Sequence, residues 1–467
     1  MRKGLYALSF GTFGLGIAEY IMMSILPDVA ADFGVSLPET GHLISAYALG
    51  VCVGAPLMVI ITRNWPLRRI LFALMGILQA FGFMYGHGAG SHISRRLGAR
   101  DVHAARQYSA ASFYLSIFTG LAIMAVGFLF MDPLMRMLGS TETILPYART
   151  YGFYILLAGP AFTSSCVLNN ILRYEGMAFF AMIGLTSGGI LNIFGDALLV
   201  NGLHMGIAGA GISTAISQYI SMFILMVPYI RKQTQSSISF SFFHPTWSVV
   251  KDIVSVGMPS LLRQGLNSAS SMVLNLSAGV YGDAAVAAIS IVSRIMNFLS
   301  CVAIGIGQGF QPVSAFNYGA GFYSRVKDGY LFSLKAGTVL MCLFALGGFV
   351  FSDLLVMVFR NDPLVIDIGS VALRLQCIAL VLMPVSIFGN MLFQSIGLSR
   401  TASFLASLRS GLVLIPVVLL FSFLFGLTGL EWAQAVSEVI SALITLPISL
   451  RFIAALPAKE KDRSGLF

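Results

Sequence analysis

The sequence predicts an all-α polytopic membrane protein: two six-helix lobes related as a parallel pseudo-twofold repeat, with about 13 transmembrane helices including an extra one at the amino terminus. Three observations predict it. The 467 residues are 57% hydrophobic and only 10% charged, with a mean hydropathy of +0.86, whereas a soluble domain carries about 25% charged residues. Apolar windows of about 20 residues, long enough to cross a bilayer, recur along the chain. Finally, the chain repeats itself. Gly86, Gly88, Gly98 and Ala99 return at one constant offset as Gly307, Gly309, Gly319 and Ala320, and at the same offset Gly176 returns as Gly397. Gly206, Gly209, Ala215, Ser217 and Ser221 return, at an offset shorter by one, as Gly426, Gly429, Ala435, Ser437 and Ser441. Such a repeat in a hydrophobic chain marks two pseudo-symmetric halves, with cargo handled between them in transporters.

The spans follow in order. The first, 4–27, is too long for a removable signal peptide and lacks the small-residue cleavage site. The second, 41–62, ends at Arg63, Arg68 and Arg69, and the third, 69–91, leads into a loop holding Arg95, Arg96, Arg100 and Arg106. Next come 107–131 and 146–170, the latter bent at Pro160 and followed by Arg173. Spans 178–200 and 206–230 complete the first half. The longest polar stretch, 231–252, reads as a linker carrying Arg231, Lys232 and Lys251. The second half places spans at 250–279, 284–311, 330–352, 367–393, 402–424 and 428–454, with Pro259, Pro384, Pro416 and Pro447 as kinks. Interior Gly and Pro suit membrane helices, where they allow close packing and bends.

Lys and Arg set the orientation. The clusters at 94–106, Arg173, the linker, Arg325 with Lys327, Arg400, and Arg451 with Lys459, Lys461 and Arg463 lie an even number of spans apart. All therefore share the cytoplasmic side, with the linker and the carboxyl terminus. Arg63, Arg68 and Arg69 break the pattern, because one span separates them from Arg95. The net charge of +9 is spread over these short loops, so it reads as topology signal against anionic headgroups and excludes a nucleic-acid partner. The five cysteines, 52, 166, 301, 342 and 377, sit inside apolar runs as small packing residues. The glycines near 86–90 and 305–309 lack a following Lys-Ser/Thr, so there is no P-loop. No cofactor is expected, and the chain is expected to act as a monomer and not as an enzyme. Energy then comes from an ion gradient.

Several stretches resemble the multidrug and toxic compound extrusion (MATE) family, its DinF-like branch in particular. They are GHGAGSHISRRLGARD (86–101), ILRYEGMAFFAMIG (171–184) and LNIFGDALLVNGLHMGIAGAGISTAISQ (191–218), then MPSLLRQ (258–264), AAISIVSRIMNF (287–298) and GIGQGFQPVSAFNYGAGFYSRVKDG (305–329). Residues 11–57 instead resemble the opening helices of major facilitator superfamily drug and sugar exporters, whose basic loop after the second helix matches Arg63, Arg68 and Arg69. The chain therefore reads as a hybrid. A facilitator-like 1–83 joins a MATE-like first lobe (84–230) inside a helix near 83–86, followed by the linker 231–252, a second lobe (253–454) and a tail (455–467).

Ion coupling needs a carboxylate facing a cavity, since a lone charge in lipid is costly. Asp196 lies mid-span four residues after Asn192, so both share a helical face, and Thr214 on the next span can complete an oxygen-rich site for Na+ or H+. The resemblance implies the same: a similar Asn, Asp and Thr form the family's amino-terminal-lobe cation site, together with a first-helix Asp that has no recognised counterpart here. The structural alternative is an Asp196 that merely bonds Asn192 and joins helices. Glu19 is the acidic residue deep in the first span. Gln264, Asn275, Gln308, Gln311 and Asn390, with Glu19, are candidate contacts in the substrate cavity. Arg263, Arg294, Arg374 and Arg409 read as structural, and Glu438 stands where the first half has Gln218.

The resemblance thus implies a cytoplasmic-membrane exporter of cationic or amphipathic drugs or toxins, coupled to inward H+ or Na+ by alternating access. The alternatives are the same fold moving a native metabolite or lipid-linked substrate, and a transport-inactive fusion product.

Overall fold

The computed structural model describes residues 66–137 and 145–457; the expected spans at 4–27 and 41–62, with Glu19 and the facilitator-like stretch, lie outside them. The described chain is helical almost throughout. It opens with α1 (Pro66–Gly98), α2 (Val102–Leu129), the short α3 (Met131–Met137), α4 (Leu145–Tyr174), α5 (Ala178–Asp196) and α6 (Gly206–Ile230). After the linker come α7 (Trp247–Gly279), α8 (Asp283–Ala320), α9 (Tyr323–Val350), α10 (Ser352–Phe359), α11 (Pro363–Leu380), α12 (Met383–Ile396), α13 (Ser399–Ser407) and α14 (Leu414–Ala454). Eight helical stretches among the described residues are long and apolar enough to cross a bilayer. The protein is a polytopic membrane protein.

The order repeats as expected: α1, α2, the short α3 and α4 are answered by α8, α9, the short α10 and α11–α12. The linker and one expected span are built differently from the expectation. The linker gives way to helix at Trp247, so part of 231–252 is α7. The expected span 367–393 is two helices, broken at 381–382 with Pro384 in the first turn of α12, a position where its missing N–H costs nothing. The break expected between 402–424 and 428–454 falls inside α14 at Gly426, whose φ of 63° only glycine adopts without cost.

The repeat extends to single hydrogen bonds. Gly176 closes α4 in the left-handed conformation (φ 85°), with Met177 N–H donating to Leu172 O at 2.8 Å and Gly176 N–H to Arg173 O at 3.0 Å. Gly397 closes α12 in the same way (φ 88°): Leu398 N–H reaches Phe393 O at 2.9 Å and Gly397 N–H reaches Gln394 O at 3.2 Å. Both are Schellman caps, which satisfy carbonyls a helix end leaves over. Asn169 donates to Ala181 O at 2.8 Å, and its counterpart in the repeat, Asn390, donates to Ala402 O at 2.6 Å.

The chain divides into two packed units, one of residues up to 93 with 102–257, the other of 94–101 with residues from 258 onward. In the first unit, α4 is the central element: 89% of its most apolar window is buried, against 22% for the α5 span. Leu156, Leu168 and Leu172 are fully buried on it. The helix pair α1–α7 meets almost backbone to backbone there, since a Cβ on Gly88 would lie 2.0 Å from Ile253 O and one on Gly257 1.9 Å from Met84 O. The linker is held against the same unit. Arg106 donates to Gln235 O (3.1 Å), Tyr114 to Ile238 O (3.2 Å) and Gln235 N–H to Glu175 Oε2 (3.1 Å). Burial pushes the Glu175 carboxyl up from its ordinary range, because desolvation disfavours the charged form.

In the second unit, α12 is buried along its whole length. The expected basic loop 94–106 is only the short turn 99–101; Arg95, in the last turn of α1, donates to Ile396 O at the end of α12, the favourable place for a cation against a helix dipole.

Candidate functional site

Asp196 is the last α-helical residue of α5, and the chain continues into a π-helical turn, Ala197–Gly202. Such turns are often found at functional sites. α6 then returns antiparallel and packs on α5 through small residues: a Cβ on Gly195 would touch Ser213 Oγ at 2.4 Å, and one on Gly188 would touch Ser221 Cβ at 2.9 Å. Close approach brings short polar side chains of the two helices together.

Asn192, Asp196 and Thr214 do converge. Asn192 Nδ2 lies 3.5 Å from Asp196 Oδ1, 3.3 Å from Ser213 Oγ and 3.2 Å from Thr214 Oγ1. One NH₂ group has two protons to offer three acceptors, all at long distances, so the group is held without being saturated. Ser213 donates to Asn192 O at 3.0 Å and Thr214 to Ala210 O at 2.9 Å. Tyr151 on α4 brings its hydroxyl to 3.3 Å from Thr214 Oγ1. All five residues are buried, Asp196 only 4% exposed. Hard cations take oxygen ligands of this kind, and a proton can be exchanged at the one carboxylate. Sequence reasoning misses Ser213 and Tyr151. Ser213 carries a signal, since Ser213, Ser217 and Ser221 form a stripe at four-residue spacing; Tyr151 carries none.

The described cavity candidates differ in their surroundings. Gln308 and Gln311 are fully buried on α8, and Gln311 donates to Gln394 at 3.2 Å, which donates to Ser260 at 2.9 Å. Asn390 spends its amide on Ala402 O. Asn275 on α7 is exposed and accepts from Ser290 at 3.2 Å, while Gln264 is half-buried. Two arginines read as structural have defined acidic partners. Arg374 meets Asp353 at 2.8 Å, and Arg409 Nε meets Glu438 Oε2 at 2.9 Å.

Comparison with known proteins bears on this arrangement. The multidrug export protein MepA of Staphylococcus haemolyticus (strain JCSC1435) is 28% identical over 425 residues, 91% of this chain and 89% of that protein. MepA of Staphylococcus aureus (strain MRSA252) is 26% identical over 93% of this chain and 92% of its own length. A crystal structure of a MATE protein in complex with MaD3S superposes with a TM-score of 0.81 at 24% identity, covering 97% of this chain and 98% of that one. The outward-facing conformation of a multidrug resistance MATE family transporter of the MOP superfamily also gives 0.81, at 23% identity over 98% and 99%. The MatE family model matches residues 69–198 and 259–420. That match starts upstream of the expected join at 83–86, and an alignment covering 91% of the chain must reach well into the stretch 1–83. The hybrid reading with a facilitator-like start is therefore not retained. One family runs through the chain: this protein belongs to the MatE family.

Proposed function

We propose that the protein exports cationic or amphipathic drug-like compounds across the cytoplasmic membrane by alternating access, driven by inward H+ or Na+. The observation that carries this reading is the cluster of one buried carboxylate and converging side-chain oxygens at Asp196, Asn192, Ser213, Thr214 and Tyr151. The names of the staphylococcal relatives, multidrug export proteins, supply the cargo class. Binding a cation or proton at Asp196 neutralises a charge that is costly to bury. It thereby changes the relative stability of the two access states, and a ligand moves such an equilibrium only through differential affinity. In this reading the linker and the loop at 94–106 face the cytoplasm.

The test is efflux of a fluorescent cationic dye from cells producing the protein or an Asp196→Asn variant, with the proton and sodium gradients collapsed in turn. Efflux that follows one gradient and is lost in the variant supports the proposal. Efflux that persists with both gradients collapsed would overturn the coupling.

A further inference from the structure

The polar linker folds back along α2 rather than away from it. Near the start of α2, Arg106 Nε donates to Gln235 O at 3.1 Å and Gln107 Nε2 donates to His244 O at 3.1 Å. Between those two points the chain runs out to Tyr114, whose hydroxyl donates to Ile238 O at 3.2 Å. The Tyr114 ring stands 5.4 Å from that of Phe240 and 4.9 Å from that of Phe243, and Phe118 stands 6.2 Å from Phe243. At 1.5 Å per helical residue, this tip lies about 12–18 Å farther along α2 than the base at Arg106. α2 is long and apolar enough to cross the bilayer, so the displacement from base to tip is toward the membrane.

The tip is built for a place short of water. Ser239 N–H donates to Ser237 Oγ at 3.2 Å and Ser241 N–H to Ser239 Oγ at 3.4 Å. The N–H groups of Phe242, Phe243 and His244 reach the carbonyls of Ser239, Phe240 and Phe242 at 3.1, 3.0 and 3.0 Å. With Ile238 O on Tyr114, the irregular backbone finds its partners inside the protein, as it must at membrane depth. The apolar side chains are not covered in this way: Phe240 is 67% exposed and Phe118 54%. Trp247, 79% exposed, follows soon after the base, where an amphipathic ring suits the headgroup level. The base is basic. Arg106 lies over the Phe242 ring at 5.6 Å, and it is exposed, as are Arg231, Lys232 and Lys251. The neighbouring carboxylates are engaged, Glu175 by Gln235 N–H and Asp252 by the Tyr108 hydroxyl at 2.7 Å. Exposed aromatics membrane-ward of exposed cations match the acyl chain and the phosphate of one lipid, and guanidinium is well suited to phosphate.

We propose that the linker tip, residues 238–243, wedges into the leaflet at the Val102 end of α2 and seats an anionic phospholipid. The acyl chain lies on Phe118 and Phe240, and the phosphate lies at Arg106 with Arg231 and Lys232 alongside. The site is separate from the Asp196 cluster and does not depend on the cargo. The experiment uses the full-length protein reconstituted in phosphatidylcholine vesicles, carrying Trp65→Phe, Trp247→Phe and Trp432→Phe, with Phe240→Trp as the fluorescent reporter. Quenching is read with lipid brominated midway along an acyl chain and with aqueous acrylamide. The expected result is strong quenching by the brominated lipid and little by acrylamide. Brominated phosphatidylglycerol should reach half-quenching at about fivefold lower content than brominated phosphatidylcholine, as basic side chains at an anionic surface imply. Arg106→Gln, Arg231→Gln and Lys232→Gln together should remove that preference and leave quenching by phosphatidylcholine in place. If Phe240→Trp fails to fold, a protein keeping native Trp247 as its reporter should show the same preference for phosphatidylglycerol. Quenching of Phe240→Trp by acrylamide alone would place the tip in water, and equal quenching by the two brominated lipids would remove the headgroup site; either result overturns the proposal.

Discussion

Gly98 and Gly319, equivalent positions in the repeat, pack against each other's helices. A Cβ on Gly98 would lie 2.2 Å from Phe316 O, and one on Gly319 would lie 2.1 Å from Arg95 O. Each glycine therefore faces backbone, which cannot rotate away as a side chain does. Helices in lipid associate through such small-residue contacts because no hydrophobic force drives helix against helix there. Gly98→Ala and Gly319→Ala should each destabilise the protein by about 1–3 kcal/mol, the usual cost of overpacking, seen as a lower melting midpoint in detergent. Gly309→Ala, where a Cβ meets nothing within 4 Å, should leave stability unchanged or raise it by about 0.4–1 kcal/mol.

Asn390 and Asn169 test whether a cavity residue is also a structural strut. If the bond to Ala402 O is its main task, Asn390→Ala and Asn169→Ala should each cost about 0.5–1.5 kcal/mol, the net worth of one buried hydrogen bond. Similar melting losses with dye preference unchanged would bear this out. A changed dye preference at unaltered stability would return Asn390 to the cargo cavity.

Arg409 and Glu438 form an ion pair with side chains 20% and 12% exposed. Removing one partner leaves a buried charge, so Arg409→Gln alone should cost about 3–5 kcal/mol, and the double neutral variant should recover most of it. A double-mutant cycle read by thermal unfolding measures the coupling.

Glu175 gives the protein a pH dependence. Its folded pKa is raised from 4.5 by burial, so the folded state holds the proton more tightly than the unfolded one. That stability is fully present below the ordinary carboxyl range and is lost as pH rises through the folded value. Glu175→Gln should flatten the upper part of the curve of melting midpoint against pH. An unchanged curve would show that another group controls it.

Much of this is legible in the chain because membrane solvation imposes simple rules. Span lengths and the glycine repeat follow from backbone satisfaction and close packing, and helical spacing alone joins Asn192 to Asp196, with Thr214 on the following span. The π-helical turns at 197–202 and 408–412 carry no signal, since no single residue type requires them. Tyr151 comes to Thr214 from a helix distant in sequence, and the Arg409–Glu438 pair joins residues 29 apart; such meetings depend on packing that periodicity does not encode. The join expected near 83–86, read from the facilitator-like stretch 11–57 and the charge of Arg63 to Arg69, finds no support, because the MatE match begins at residue 69 and the MepA alignment covers 91% of the chain.

The central claim is that Asp196 couples an ion gradient to export. Its most direct test is dye movement in proteoliposomes under an imposed proton gradient or sodium gradient, applied separately, for the wild type and Asp196→Asn. The account predicts movement under one gradient in the wild type and none in the variant, with both proteins inserted equally. Equal gradient-driven movement in Asp196→Asn would contradict it.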